Sequence, residues 1–149
     1  MSITTLSIDA GIQEFQINNG GVLRFNPSDP NVYNRFFGVI NSIDEVDRAL
    51  AEEVSGLEEG DGEGALKALK RADERAKALL SSVFGEANNF DDILGGVNVM
   101  AVGSNGKRVI VNLFEALTPI FEDGAKRCAS AKLEAAKAAR GDRRSPVME

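Results

Sequence analysis

The hydrophobic period of this chain changes once and abruptly, at Asn26-Pro27-Ser28-Asp29-Pro30, and that change limits the folds open to it. Before the junction apolar and polar residues alternate: Leu6 and Ile8 with Ser7 and Asp9, then Phe15 and Ile17 with Glu14, Gln16 and Asn18. A period of two places each apolar set on one face of a strand. Asp9-Ala10-Gly11 supplies one turn. Asn18-Asn19-Gly20-Gly21 supplies another, because Asn and Gly tolerate the positive φ of tight hairpins. Val22–Phe25 then returns with Leu23 and Phe25 on one face, so residues 1–26 are expected to form a β-hairpin or meander. A sheet this small is marginal alone and must lie on helices.

After the junction the period becomes helical. Asp29 can cap the first free N–H groups, and Pro30 at the first helical position loses no hydrogen bond. Phe36, Ile40, Ile43, Val46 or Asp47, Leu50, Val54 and Leu57 recur at helical spacing until the acidic loop Glu58–Gly64. A second stripe runs through Leu66, Leu69, Ala72, Ala76, Leu79, Leu80 and Val83 to a C-terminal cap at Gly85. The two form an αα-hairpin. Asn89 is expected to cap a short helix with Asp91 and Asp92 in its first turn, closed by Gly95-Gly96.

Val97–Val102 reads as a buried connector or a short strand. Asn105 is expected to open a last helix through Ile110, Leu113, Phe114 and Leu117, which Pro119 either kinks or restarts. Ile120, Phe121, Ala125, Cys128 and Ala129 continue its apolar spacing. The expected fold is α+β and mostly helical: a small N-terminal antiparallel sheet packed on three to four α-helices. It forms one domain over 1–133, with the helical part at 29–133. A basic, partly disordered tail is expected over 134–149.

A chain of 149 residues can bury roughly 70% of its unfolded surface in one domain. No apolar run approaches the roughly 20 residues that span a bilayer, so no membrane partner is expected. The first residues lack the basic and apolar regions of a signal peptide. The single Cys128 fits a reducing compartment, and a cytoplasmic location follows as the expectation.

The net charge of −6 is uneven. Asp44–Glu63 holds nine acids against Arg48 alone, and Lys126–Glu149 holds seven bases against three acids. Solvated helix faces account for both blocks, and head-to-tail attraction between subunits is the sharper alternative. Direct nucleic-acid binding is not expected, since phosphate affinity needs a concentrated basic surface.

The motifs offer little chemistry. Gly103-Ser104-Asn105-Gly106-Lys107-Arg108 lacks the glycine spacing and the following Ser or Thr of a phosphate loop. Glu59, Asp61 and Glu63 alternate like the start of a calcium loop, yet Lys70 stands where the bidentate glutamate belongs. Cys128 has no histidine anywhere in the chain to activate it, and reads as a small core residue. No catalytic, cofactor-binding or metal-binding residue is expected, and the chain reads as a non-enzyme.

Two segments carry a family resemblance. LRFNPSDPNVYNRF, from Leu23 to Phe36, resembles the strand-to-helix junction of tail assembly chaperones of long-tailed, noncontractile bacteriophages and prophages. FGEANNFDDILGGVNVMAVGSNGKRVIVNLFEALTPIFEDGAK, from Phe84 to Lys126, is similar to the second half of those proteins, especially from Gram-positive hosts. The resemblance implies a partner of the tape measure protein that helps recruit the major tail protein and is absent from the finished virion. The bent, aromatic stripe of Phe114, Leu117 and Phe121 is the candidate partner-binding surface, and self-association through the charge blocks is a further expectation. Two other readings compete: an acidic DNA mimic, supported by Asp44–Glu63 but opposed by the basic end, and a structural tail connector or completion protein. Chelator treatment is expected to leave the melting temperature unchanged; a shift of several degrees on adding calcium or zinc would contradict the absence of a metal site.

Overall fold

Alternation becomes a strand only where a tight turn brings a partner alongside. In the computed structural model, which describes residues 2–144 and side chains as far as Arg140, β1 (Gln13–Gln16) pairs antiparallel with β2 (Val22–Phe25). The turn between them is closed by the Ile17 N–H to the Gly21 carbonyl (3.0 Å) and the Gly20 N–H to the Ile17 carbonyl (2.9 Å), with Asn18 at φ 53°. No strand forms around Leu6 and Ile8, which are 84% and 85% exposed. The expected turn is present: the Gly11 N–H donates to Asp9 Oδ1, and Asn26 Nδ2 donates to the Ala10 carbonyl. It ties the chain to the end of β2 and leaves the preceding residues with no strand to pair with. The free edge of β2 is closed by a side chain. Asn88, only 5% exposed, accepts from the Arg24 N–H and donates to the Arg24 and Phe84 carbonyls, each at 2.9 Å.

Four helices follow: α1 (Pro30–Ser55), α2 (Gly62–Phe84), α3 (Phe90–Ile93) and α4 (Val109–Arg144). The fold is α+β, a two-stranded antiparallel sheet against a mostly helical body. Asp29, Asp61 and Asn89 cap α1, α2 and α3 through their side chains. Asn105 does not open α4, which begins four residues later. Its Oδ1 accepts from the Lys107 N–H inside a turn that the Gly103 N–H closes onto the Lys107 carbonyl at 2.7 Å. The Arg108 carbonyl instead accepts the first helical bonds, from Val111 and Asn112. Pro119 lies inside α4 without ending it; the Thr118 hydroxyl donates to the Phe114 carbonyl (2.7 Å). The helix passes residue 133 and runs to Arg144, so 134–144 of the expected tail are helical, and 145–149 lie outside the described residues.

The core is aromatic. All eight phenylalanines and Tyr33 are linked by ring contacts. Phe121 sits at their centre, fully buried, stacked on Phe36 at a 4.4 Å centroid distance and on Phe25 at 5.1 Å. Val39, Ile43 and Val46 of α1 join Ala72, Ala76 and Leu80 of α2 to extend this core along the αα-hairpin. The stripes fade toward the acidic loop, where Val54 is 40% and Leu66 69% exposed. The connector is buried only at its middle: Val99 and Met100 are inside, whereas Val97 and Val102 are largely exposed. Asp73 accounts for the difference, because its Oδ1 takes the Val99 N–H at 2.8 Å and draws that residue inward.

One charged cluster supports this arrangement. Lys77 Nζ lies 2.9 Å from Asp73 Oδ2 and 2.7 Å from Asp91 Oδ1, joining α2 to α3, and its side chain is 10% exposed. Burial alone would lower the lysine pKa, but hydrogen bonds to Asp91 and Asp73 outweigh it and raise the value above the ordinary one. A raised folded-state pKa contributes stability that is complete below the lysine value of the unfolded chain, about 10.5, and is lost as pH rises through the higher folded value. Lys77→Gln is therefore expected to destabilise the protein at neutral pH and to flatten the alkaline limb of stability against pH. Parallel limbs for wild type and variant in denaturant titrations would contradict the assignment.

At Gly124, α4 crosses the strand-to-helix junction so closely that a Cβ there would lie 1.9 Å from the Pro27 carbonyl oxygen, which is backbone and has little room to yield. Gly124→Ala is expected to cost about 1–3 kcal/mol or more through overpacking, read from denaturant melts. An unchanged midpoint would show that the crossing is looser than this geometry.

Candidate functional site

The stripe Phe114, Leu117 and Phe121 does not form a surface. Leu117 is 2% exposed and Phe121 0%, and Phe114, half-buried, meets Phe36 edge to face at 5.4 Å. Of the three expected partner-binding residues, Leu117 and Phe121 belong to the core and Phe114 packs half-buried against it, because β2, α1 and α2 direct the rings of Phe25, Phe36 and Phe84 at this face of α4. The same face continues along α4, one to three turns further, and there it opens. Ala125, Cys128, Ala129 and Lys132 stand at spacings of three and four residues and form one wall of a groove.

The opposite wall is the junction itself: Pro27, Ser28, Asp29, Pro30, Tyr33 and Asn34. The groove encloses about 230 Å³ and is lined mainly by apolar atoms. Its shape follows from local chemistry. Pro27 and Pro30 stiffen the junction, the Ser28 N–H is held by Asn26 Oδ1, and Asp29 is occupied in capping α1. Gly124 brings the two walls together at one end, and the small side chains of Ala125, Cys128 and Ala129 leave the space between them unfilled.

The groove's reactive or titratable side chains are those of Asp29, Tyr33, Cys128 and Lys132, and Asp29 is taken up by the α1 cap. Cys128 has neither histidine nor carboxylate among the residues lining the groove with it apart from the capping Asp29. Among the described residues no group of three or more His, Cys, Asp or Glu is placed to hold a metal. Asp61, an acid of the calcium-like run, accepts the Gly64 N–H as the cap of α2. Within the acidic block Asp47 lies 2.9 Å from Arg108 and Glu53 pairs with Arg71, so part of that block is engaged inside the chain. Among the described residues no helix is long and apolar enough to cross a membrane.

The walls of the groove are mainly apolar. Sequence reasoning placed Ala125, Cys128 and Ala129 on the correct face of the last helix but passed over Pro27, Tyr33 and Lys132. The available signal was the loss of large side chains after Phe121 on a face that keeps its helical spacing. No family model matches the chain, and no curated protein or solved structure matches it either.

Proposed function

We propose that this chain is a tail assembly chaperone of a long-tailed, noncontractile phage or prophage. In this reading it binds the tape measure protein and helps to recruit the major tail protein in the cytoplasm of the infected cell. The observation that carries the reading is where the two resembling segments meet. Leu23–Phe36 and Phe84–Lys126 lie far apart in sequence, yet Phe25 and Phe36 of one stack on Phe121 of the other, and Gly124 crosses Pro27. The groove opens directly beside that crossing. It is apolar and partly open, and the groups around it serve capping and packing. Such a groove suits the covering of an apolar ridge on a long helical client, which would aggregate if left bare. Weak capture at one groove suffices where many copies line one extended client, because multivalency multiplies the effect.

The fold and the groove respond differently to mutation, and this separates the two roles. Phe121→Ala should cost about 3–5 kcal/mol of stability and abolish binding only by unfolding the chain. Ala129→Arg adds a long charged side chain on an exposed helical position of the groove wall, and should change stability by less than about 0.5 kcal/mol. The expected outcome is that wild type recovers co-expressed tape measure protein in a pull-down and that folded Ala129→Arg does not. Failure of the wild type to bind would remove the chaperone reading, while undiminished binding by Ala129→Arg would move the client surface elsewhere.

A further inference from the structure

The segment before β1 reads as a strand and has no strand partner. Ile3, Leu6, Ile8 and Ile12 are 93%, 84%, 85% and 56% exposed, four of the nine large apolar side chains left in solvent among the described residues. They fall within ten consecutive positions, and Leu6 and Ile8 alternate with polar residues. Extended, residues 2–10 reach roughly 30 Å.

The sheet has one open edge. In an antiparallel pair, successive residues direct their N–H and C=O alternately toward the partner strand and away from it. Asn88 fixes the phase: it bonds the Arg24 N–H and C=O from outside the pair, so Glu14, opposite Arg24, also directs its groups away from β2. Gln16 lies two residues on and shares that direction. Among the described residues nothing pairs with the backbone of Glu14 or Gln16 on this side. Asn88 occupies the β2 edge at Arg24, and among the described residues no such side chain meets the β1 edge. At the end of β1 a cavity of about 270 Å³ opens between Gln16, Ile17 and Asn18 on one side and Leu94, Val109 and Leu113 on the other, with mainly apolar walls.

We propose that the occupant of this edge is the N-terminal segment of a second copy of the chain, added as a third strand, with Leu6 and Ile8 over the apolar end of β1. A free strand edge offers backbone groups in a row and takes an extended peptide readily. The segment has the alternation such an added strand needs, and within its own chain it is exposed and unpaired. The Asp9–Gly11 turn and the Asn26 bond to Ala10 hold its root at the end of the β1–β2 pair. Exchange between two copies satisfies both exposed features at once. The inference does not depend on the tail-assembly reading, and it uses a surface separate from the Pro27–Lys132 groove.

Light scattering and peptide binding test it. Wild type should have at least twice the mass of one chain, and that mass should persist as salt rises. A variant lacking residues 2–11 should lose the association, halving the mass or more, and remain folded, with a melting temperature lowered by the lost association. A synthetic peptide of residues 2–12 should bind this shortened variant and slow amide exchange at Glu14 and Gln16, and the same peptide carrying Leu6→Asp and Ile8→Asp should not bind. A monomeric wild type at high concentration would overturn the proposal, as would association that survives removal of residues 2–11. Peptide binding without slowed exchange at Glu14 and Gln16 would also overturn it. Association that dissolves in salt would assign self-contact to the charge blocks instead.

Discussion

Everything in this fold is arranged around the burial of Phe121. Its ring stacks on Phe36 from α1 and Phe25 from β2 and lies within 6.4 Å of Tyr33, Phe37 and Phe84. Aromatic pairs at such distances add about 0.5–1.5 kcal/mol each beyond the area they bury. The close crossing at Gly124 is the steric condition for this cluster, since it lets α4 approach the junction far enough for the rings to meet. The strand β2 and both helices of the αα-hairpin thus meet at one side chain from the last helix.

The buried polar groups divide the remaining work. Asn88 meets the backbone of β2 and the end of α2 together, so one amide stands in for a third strand and a helix cap. Arg35 Nε donates to the Val83 carbonyl and gives the same helix end a second partner. Asn98 reaches the Leu69 carbonyl while holding the Met100 N–H, which fixes the connector against α2. The bond from Asn88 to the Phe84 carbonyl is fully buried, and leaving such a backbone group unpaired inside a protein costs about 1–3 kcal/mol. The irregular stretch between Gly85 and Arg108 is ordered by such bonds more than by regular secondary structure.

Much of the fold was legible because its signals are local. Asp29-Pro30, Asn89 and the Asn18–Gly21 turn announce themselves within a few residues, and the structure places them as expected. The errors arise where a local signal is overridden at a distance. Asn105 looks like a cap, but its side chain is taken by Lys107 and Asn112, which the return of the connector brings near. Leu6 and Ile8 have the period of a strand, but whether they pair depends on an edge that Asn88 closes from sixty residues away. The Phe114–Phe121 stripe was correctly seen as apolar. Its partners, Phe25, Phe36 and Phe84, come from three other elements, so periodicity alone could not show that it was already covered. The groove was missed for the complementary reason: small side chains define it by the space they leave.

The crossing of Gly124 over Pro27 also sets an order of events during synthesis. Contacts between residues nearly a hundred positions apart are slow to form, because loop closure precedes any reward from them. A nascent chain that has released its sheet and αα-hairpin still shows solvent the apolar face on which Phe121 will lie, with Phe25, Phe36 and Phe84 bare. The core closes only when the last helix has left the ribosome. Until then the emerging protein presents the kind of unprotected apolar surface that chaperones recognise.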